Sequence, residues 1–189
     1  MKLQIELIII FICSMMIHIH AQSKVVIGGG ISMAYTDNPA TSEKGQMING
    51  YHGSLTARFG STDWYIRPGL ELHKMKMLPE STLNPFEDGP YMFILKVPAQ
   101  LGLRLINTDN FGLRIQGGMQ FSYVVSIQKN INNFNHNTIT DTQFGALIGG
   151  GIDLGFVSID VNFEKGLTEL YTKTGYKSDY IIITAGISF

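Results

Sequence analysis

Phe111-Gly112-Leu113-Arg114-Ile115-Gln116-Gly117-Gly118-Met119-Gln120-Phe121-Ser122-Tyr123 decides the fold. Side chains of an extended chain point alternately to its two sides, so Phe111, Leu113, Ile115, Gly117, Met119, Phe121 and Tyr123 share one face. Gly112, Arg114, Gln116, Gly118, Gln120 and Ser122 share the other. A helix would mix the two sets all round, so the segment is a strand with one apolar and one polar side.

Working outward, the same period recurs in both directions. Upstream, Val25 to Tyr35, Tyr51 to Phe59, Trp64 to His73 and Leu95 to Arg104 alternate in this way. Downstream come Phe144 to Leu154, with Leu147 interrupting its polar face, then Val157 to Glu164, and last Ile181, Ile183, Ala185, Ile187 and Phe189 on one face. That makes eight strands, each long enough to cross a bilayer at a tilt, which takes roughly 9–11 residues. The connections alternate long and short. The short ones are Gly60-Ser61-Thr62-Asp63, Asn107-Thr108-Asp109-Asn110 and Gly155-Phe156, as expected if long loops face outward and tight turns face the periplasm. The expected fold is all-β, an eight-stranded antiparallel up-and-down transmembrane β-barrel.

Soluble eight-stranded barrels such as lipocalins also alternate, but they turn the apolar face inward around a ligand. Aromatic placement discriminates. Phe59, Trp64, Phe111 and Phe189 mark the short-turn end of the apolar face, and Tyr35, Tyr51, Phe93, Tyr123, Phe144 and Phe163 the long-loop end. Two aromatic girdles around an aliphatic band suit a membrane barrel, whose apolar face looks out. The polar set then lines the lumen, because Arg or Lys in lipid costs roughly 2–4 kcal/mol at the midplane. Arg58, Arg67, Lys96, Arg104 and Arg114 face Glu71, Asp153, Asp160 and Glu164 there, a near-balance that predicts a lumen ion-pair network. Eight strands enclose a space that side chains fill, so a plugged core is expected, not a diffusion pore.

Composition agrees. The 189 residues carry 14 Lys and Arg against 15 Asp and Glu, so nothing suggests a nucleic acid or other polyanion as partner. Lys2, the apolar run Leu7 to Ile17 and the polar segment ending Ala21-Gln22 have the layout of a signal peptide. Residues 1–21 are expected to be cleaved and 22–189 to form one outer-membrane β-barrel domain in a Gram-negative cell. Cys13, the single cysteine, lies inside the apolar run, so the mature chain has no disulfide or thiolate metal site. Ile183, Ile187 and Phe189 form the apolar, aromatic-ended strand expected to be read by the barrel assembly machinery.

Gly28-Gly29-Gly30 and Gly149-Gly150-Gly151 are read as relief for a tightly curved wall, since no Lys-Ser/Thr follows to make a phosphate loop. His52 and Ser54 on one strand with Glu71 on the next could be drawn as a Ser/His/carboxylate set for acyl-ester hydrolysis. Parity turns them to the lumen, and they read as ordinary lumen polar residues. His73 and His136 are placed in or near the outward loops, without a ligand geometry that would define a metal site. No cofactor is implied.

Val97-Pro98-Ala99, the run Phe144-Gly145-Ala146-Leu147-Ile148-Gly149-Gly150-Gly151-Ile152-Asp153, and Phe163-Glu164-Lys165-Gly166-Leu167-Thr168 resemble the PorT-like outer-membrane β-barrel family of Bacteroidota. The resemblance spans the whole mature chain. Asn162-Phe163 departs from the Arg-Tyr pair often found before Gly-Leu-Thr in that family, leaving this lumen position neutral. The resemblance implies fold and location; most members have no assigned function, and a few take part in secretion across the envelope. The expected role is a structural component, or one that interacts with an envelope protein through outward loops, surrounded by outer-membrane lipid. A lipid A-modifying enzyme and a narrow channel are the alternatives.

Overall fold

The computed structural model describes residues 23–36, 46–77, 86, 90–129, 139–170 and 177–189. Its strands are β1 (Lys24–Thr36), β2 (Gln46–Gly60), β3 (Trp64–Lys76), β4 (Tyr91–Asn107), β5 (Phe111–Ile127), β6 (Thr142–Leu154), β7 (Val157–Gly166) and β8 (Asp179–Ser188). Each pairs antiparallel with the next, and β8 pairs with β1 to close the barrel. The ring seals at its seam by two reciprocal bonds: Val25 N–H donates to the Phe189 carbonyl at 3.0 Å, and Phe189 N–H to that of Val25 at 2.8 Å. Closure leaves no edge strand with unpaired backbone groups.

The alternation orients every strand. Leu55, Leu70, Leu101, Met119 and Ile148 stand outside, with Leu101 64% and Ile148 66% exposed. Arg58, Arg67, Lys96 and Arg114 point inward and are 0–2% exposed. Polarity is thus inverted relative to a water-soluble protein. Trp64, Phe111 and Phe189 stand outside at the short-turn end, and Tyr35, Tyr51, Tyr123, Phe144 and Phe163 outside at the other.

The short-turn end is laced by its own backbone. Ser61 N–H bonds the Trp64 carbonyl, Arg104 N–H reaches Asp63, Gly155 N–H reaches Asn110, and Ser188 N–H reaches Phe156. Gly155, at φ 60°, supplies the left-handed residue that a two-residue hairpin turn needs.

Two strands run past the alternation that identifies them. β4 and β5 each span 17 residues. Phe93 pairs with Ser126 but Ile94 with Val124, which leaves Val125 as a bulge. From Met92 to Leu95 the β4 sequence is apolar on both faces, with Met92 and Ile94 pointing in. That inward turn produces a departure from the expected lumen: its long-connection end is lined by apolar, not polar, side chains. Ala34, Ile48, Met75, Met77, Met92, Ile94, Val124, Ile139, Leu170 and Ile182 pack there into a single buried cluster with Tyr180.

The glycine runs serve space as well as curvature. A Cβ at Gly30 would strike the Ile183 carbonyl, and one at Gly28 would lie 2.7 Å from that of Ala185, so β1 and β8 approach where no side chain intervenes. At Gly151 a Cβ would sit 2.5–2.6 Å from the Arg114 guanidinium, and at Gly145 2.5 Å from a Glu164 oxygen. These two glycines leave room for charged side chains reaching across the lumen.

Candidate functional site

Among the described residues the lumen concentrates the chemistry, and it is built in layers. Nearest the short turns, Asp153 on β6 receives Arg58 Nη1 from β2 at 2.6 Å and both Nε and Nη2 of Arg114 from β5 at 3.2 Å. Such a fork on two carboxylate oxygens fixes orientation as well as charge. Ser158 accepts Arg58 Nη2 and Arg114 Nη2, each at 2.7 Å. Asp160 on β7 accepts Arg114 Nη1, Gln116 Nε2 at 3.1 Å and Arg67 Nη2 at 3.4 Å. Gln100, Gln116, Asn162 and the Tyr65 hydroxyl extend the net: Tyr65 donates to Gln116 at 2.9 Å, and Gln100 and Gln116 both donate to Asn162. Strands β2 to β7 are thereby tied together across the barrel. Facing this layer, the β1–β8 side has Val26, Gly28, Gly30 and Gly186 among its inward positions.

Arg104 stands apart from the expected network. It lies directly opposite Arg114 in the β4–β5 register, where like charges repel, and the irregularity between Arg104 and Ile106 follows at once. Its guanidinium turns to the rim instead, donating to the Ser61 carbonyl and lying 5.2 Å from the centre of the Tyr65 ring. Among the described residues no carboxylate pairs with it.

The middle layer holds the remaining charges and two histidines. Lys96 Nζ donates to Glu164 at 2.6 Å and lies 3.5 Å over the Tyr180 ring. His52 and His73 face each other in the β2–β3 register and stack at 4.6 Å between centroids. His73 is therefore a fully buried lumen residue on β3, not a loop residue. His136 lies outside the described residues.

Five side chains here form one hydrogen-bonded chain. Thr184 Oγ1 and His52 Nε2 are 2.9 Å apart, as are His52 Nδ1 and Ser32 Oγ, Ser32 Oγ and His73 Nδ1, and His73 Nε2 and Glu71 Oε2. A carboxylate only accepts, so His73 Nε2 carries the proton given to Glu71. With neutral rings its Nδ1 must then accept from the Ser32 hydroxyl. Ser32 accepts from His52 Nδ1–H, and His52 Nε2 accepts from Thr184. One direction of donation satisfies the whole chain.

This order differs from the triad drawn from spacing. His52 bonds Ser32 rather than Ser54, and Ser54 pairs in register with Glu71. A serine–histidine–glutamate line does exist, Ser32–His73–Glu71, but Ser32 and His73 are 0% exposed. Neither side chain is therefore presented at the surface among the described residues. The sequence reading set Gln116 and Asn162 on the lumen side but assigned no hydrogen-bonding role to them, nor to Ser32, Gln100, Ser158 or Thr184. Their inward parity was the available signal.

No metal-holding group of three or more His, Cys, Asp or Glu occurs among the described residues. On the outer wall, Ile183, Ile187 and Phe189 face away from the lumen, and Phe189 is the most exposed of them.

No family model and no curated protein matches the chain. Solved structures do. Neisserial surface protein A is 10% identical, with 87% of this chain and 95% of that chain covered at a TM-score of 0.53. Ail, the attachment invasion locus protein of Yersinia pestis, is 13% identical over 88% and 99% at 0.47. The outer membrane protein OprG of Pseudomonas aeruginosa is 13% identical over 90% and 97% at 0.48. The likeness to the Neisserial protein shows a shared fold: this chain is an eight-stranded, closed, antiparallel β-barrel.

Proposed function

We propose that the chain is an integral outer-membrane β-barrel protein of a Gram-negative cell, closed to diffusion, acting as a structural component or through its outward connections on another envelope component. The observation that carries this is the inverted polarity, with an apolar belt outside and four buried basic side chains inside. An apolar wall of this extent is not stable against water, whereas charge in the lumen escapes the cost it would meet in lipid. A water-filled pore would leave its walls exposed, yet Tyr65, Lys96, Ile94 and Met92 are 0–1% exposed, which disfavours the channel. The sealed serine–histidine line likewise disfavours the lipid A-modifying enzyme.

Finer assignments belong to the same reading. The PorT-like resemblance rests on the quoted residues of β4, β6 and β7. Residues 1–21 are a signal peptide removed after Ala21, leaving 22–189 as the barrel domain. Ile183, Ile187 and Phe189 are the surface offered to the barrel assembly machinery, and Arg58, Arg67, Glu71, Lys96, Arg114, Asp153, Asp160 and Glu164 hold the lumen shut.

The test is refolding of residues 22–189 into lipid vesicles, followed by electrophoresis with and without boiling, and planar-bilayer recording. A heat-modifiable band and a silent bilayer are expected. A monomer that stays soluble without amphiphile would overturn the membrane reading, and discrete conductance steps would replace the plug with a channel.

A further inference from the structure

We propose that Lys74, held in an aromatic cradle on the outer wall, binds the phosphate of an anionic lipid headgroup at the long-connection rim; this rests on the membrane reading above. Lys74 lies on the lipid-facing parity of β3, in register between Tyr51 of β2 and Phe93 of β4. Its Nζ sits 4.1 Å from the centre of the Tyr91 ring and 5.5 Å from that of Tyr51. Tyr51 is itself stacked on Phe86 at 5.6 Å, and Tyr91 meets Phe93 edge-on at 5.5 Å. Aromatic faces attract an ammonium through their quadrupole and hold it in place without neutralising it.

The contrast with Lys165 makes the case. Lys165 also faces outward near the same rim, but its Nζ lies 2.6 Å from Asp179, which neutralises it. Lys74 has no carboxylate within ion-pair distance among the described residues, and its neighbours inward along β3, Leu72 and Leu70, are exposed aliphatic side chains. An unpaired cation on a lipid-facing wall is tolerable only near headgroup level. There the amphipathic tyrosines also settle. The ammonium has three N–H donors, and a tyrosine face engages only the side turned towards it, so among the described residues the side away from the rings is left to donate. What an aromatic-bordered ammonium at that depth binds is an anionic oxygen, and the supply there is lipid phosphate.

The experiment uses the mature protein refolded into nanodiscs of equal parts phosphatidylcholine and phosphatidylglycerol, released into mild detergent and weighed with its retained lipids by native mass spectrometry. Wild type and Lys165→Met should retain phosphatidylglycerol over phosphatidylcholine by about fivefold, the effect of roughly one basic residue at a membrane surface. Lys74→Met should lose that preference and Lys74→Arg should keep it. Equal preference in wild type and Lys74→Met, or none in wild type, overturns the proposal. Failure of wild type to give the heat-modifiable form in lipid would instead count against the membrane reading, so the two failures are separable.

Discussion

The two halves of the lumen solve one problem by opposite means. Both are walled by the same strands with the same inward parity, and both leave their side chains almost unexposed. The short-turn half fills its volume with Arg58, Arg67, Arg114, Asp153 and Asp160, where each donor needs an acceptor at a set distance. The long-connection half fills it with methionine, isoleucine and valine, which need only volume. The first is specific and intolerant of partial loss, because removing one member strands another charge in a dry interior. The second is adaptable, and methionine in particular accommodates irregular gaps.

The sharpest way to break the contrast is at Asp160. Asp160→Ala leaves Arg67 without a carboxylate and Arg114 with Asp153 alone, and should cost about 3–5 kcal/mol of stability in denaturant titrations from lipid vesicles. A loss below that of the apolar half would put the two halves on one footing. In that half, Ile94→Ala should cost about 2–4 kcal/mol by the same titration, while the bilayer stays silent because neighbours still close the lumen. Gly151→Ala tests packing against the charged layer: the added methyl meets the Arg114 guanidinium, and about 1–3 kcal/mol of overpacking is expected. Smallest is Ser32→Ala in the middle layer, about 1–2 kcal/mol, since it removes the hydroxyl between two rings. Imidazole nitrogen NMR sharpens that last case. Wild type should show His52 protonated at Nδ1 and His73 at Nε2, and the variant should lose the preference at His52. An unchanged His52 signal would refute the direction assigned to the chain.

What was readable from sequence divides along the same line. Strand number, parity and the outward face follow from alternation, because an apolar outer wall and a charged interior give neighbouring residues opposite character. Charged lumen residues announce themselves by type, although type alone did not separate Arg104, whose position opposite Arg114 is a matter of register. The apolar half was illegible for a physical reason: at Met92-Phe93-Ile94-Leu95 both faces are apolar, so the period vanishes where the plug begins. The middle layer was half visible. His52 and Glu71 stood out, but His52 bonds Ser32 on the neighbouring β1 and Thr184 on β8, which only closure of the ring brings alongside.

That closure has a mechanical corollary. Side chains stitch β2 to β7 across the charged half, while β1 and β8 meet there over glycines, joined by a backbone zipper that ends in the Val25–Phe189 pair. At its short-turn end the barrel is therefore a hoop with a riveted side and a clasp, and load applied to that rim would part it at the clasp while the riveted arc keeps its shape.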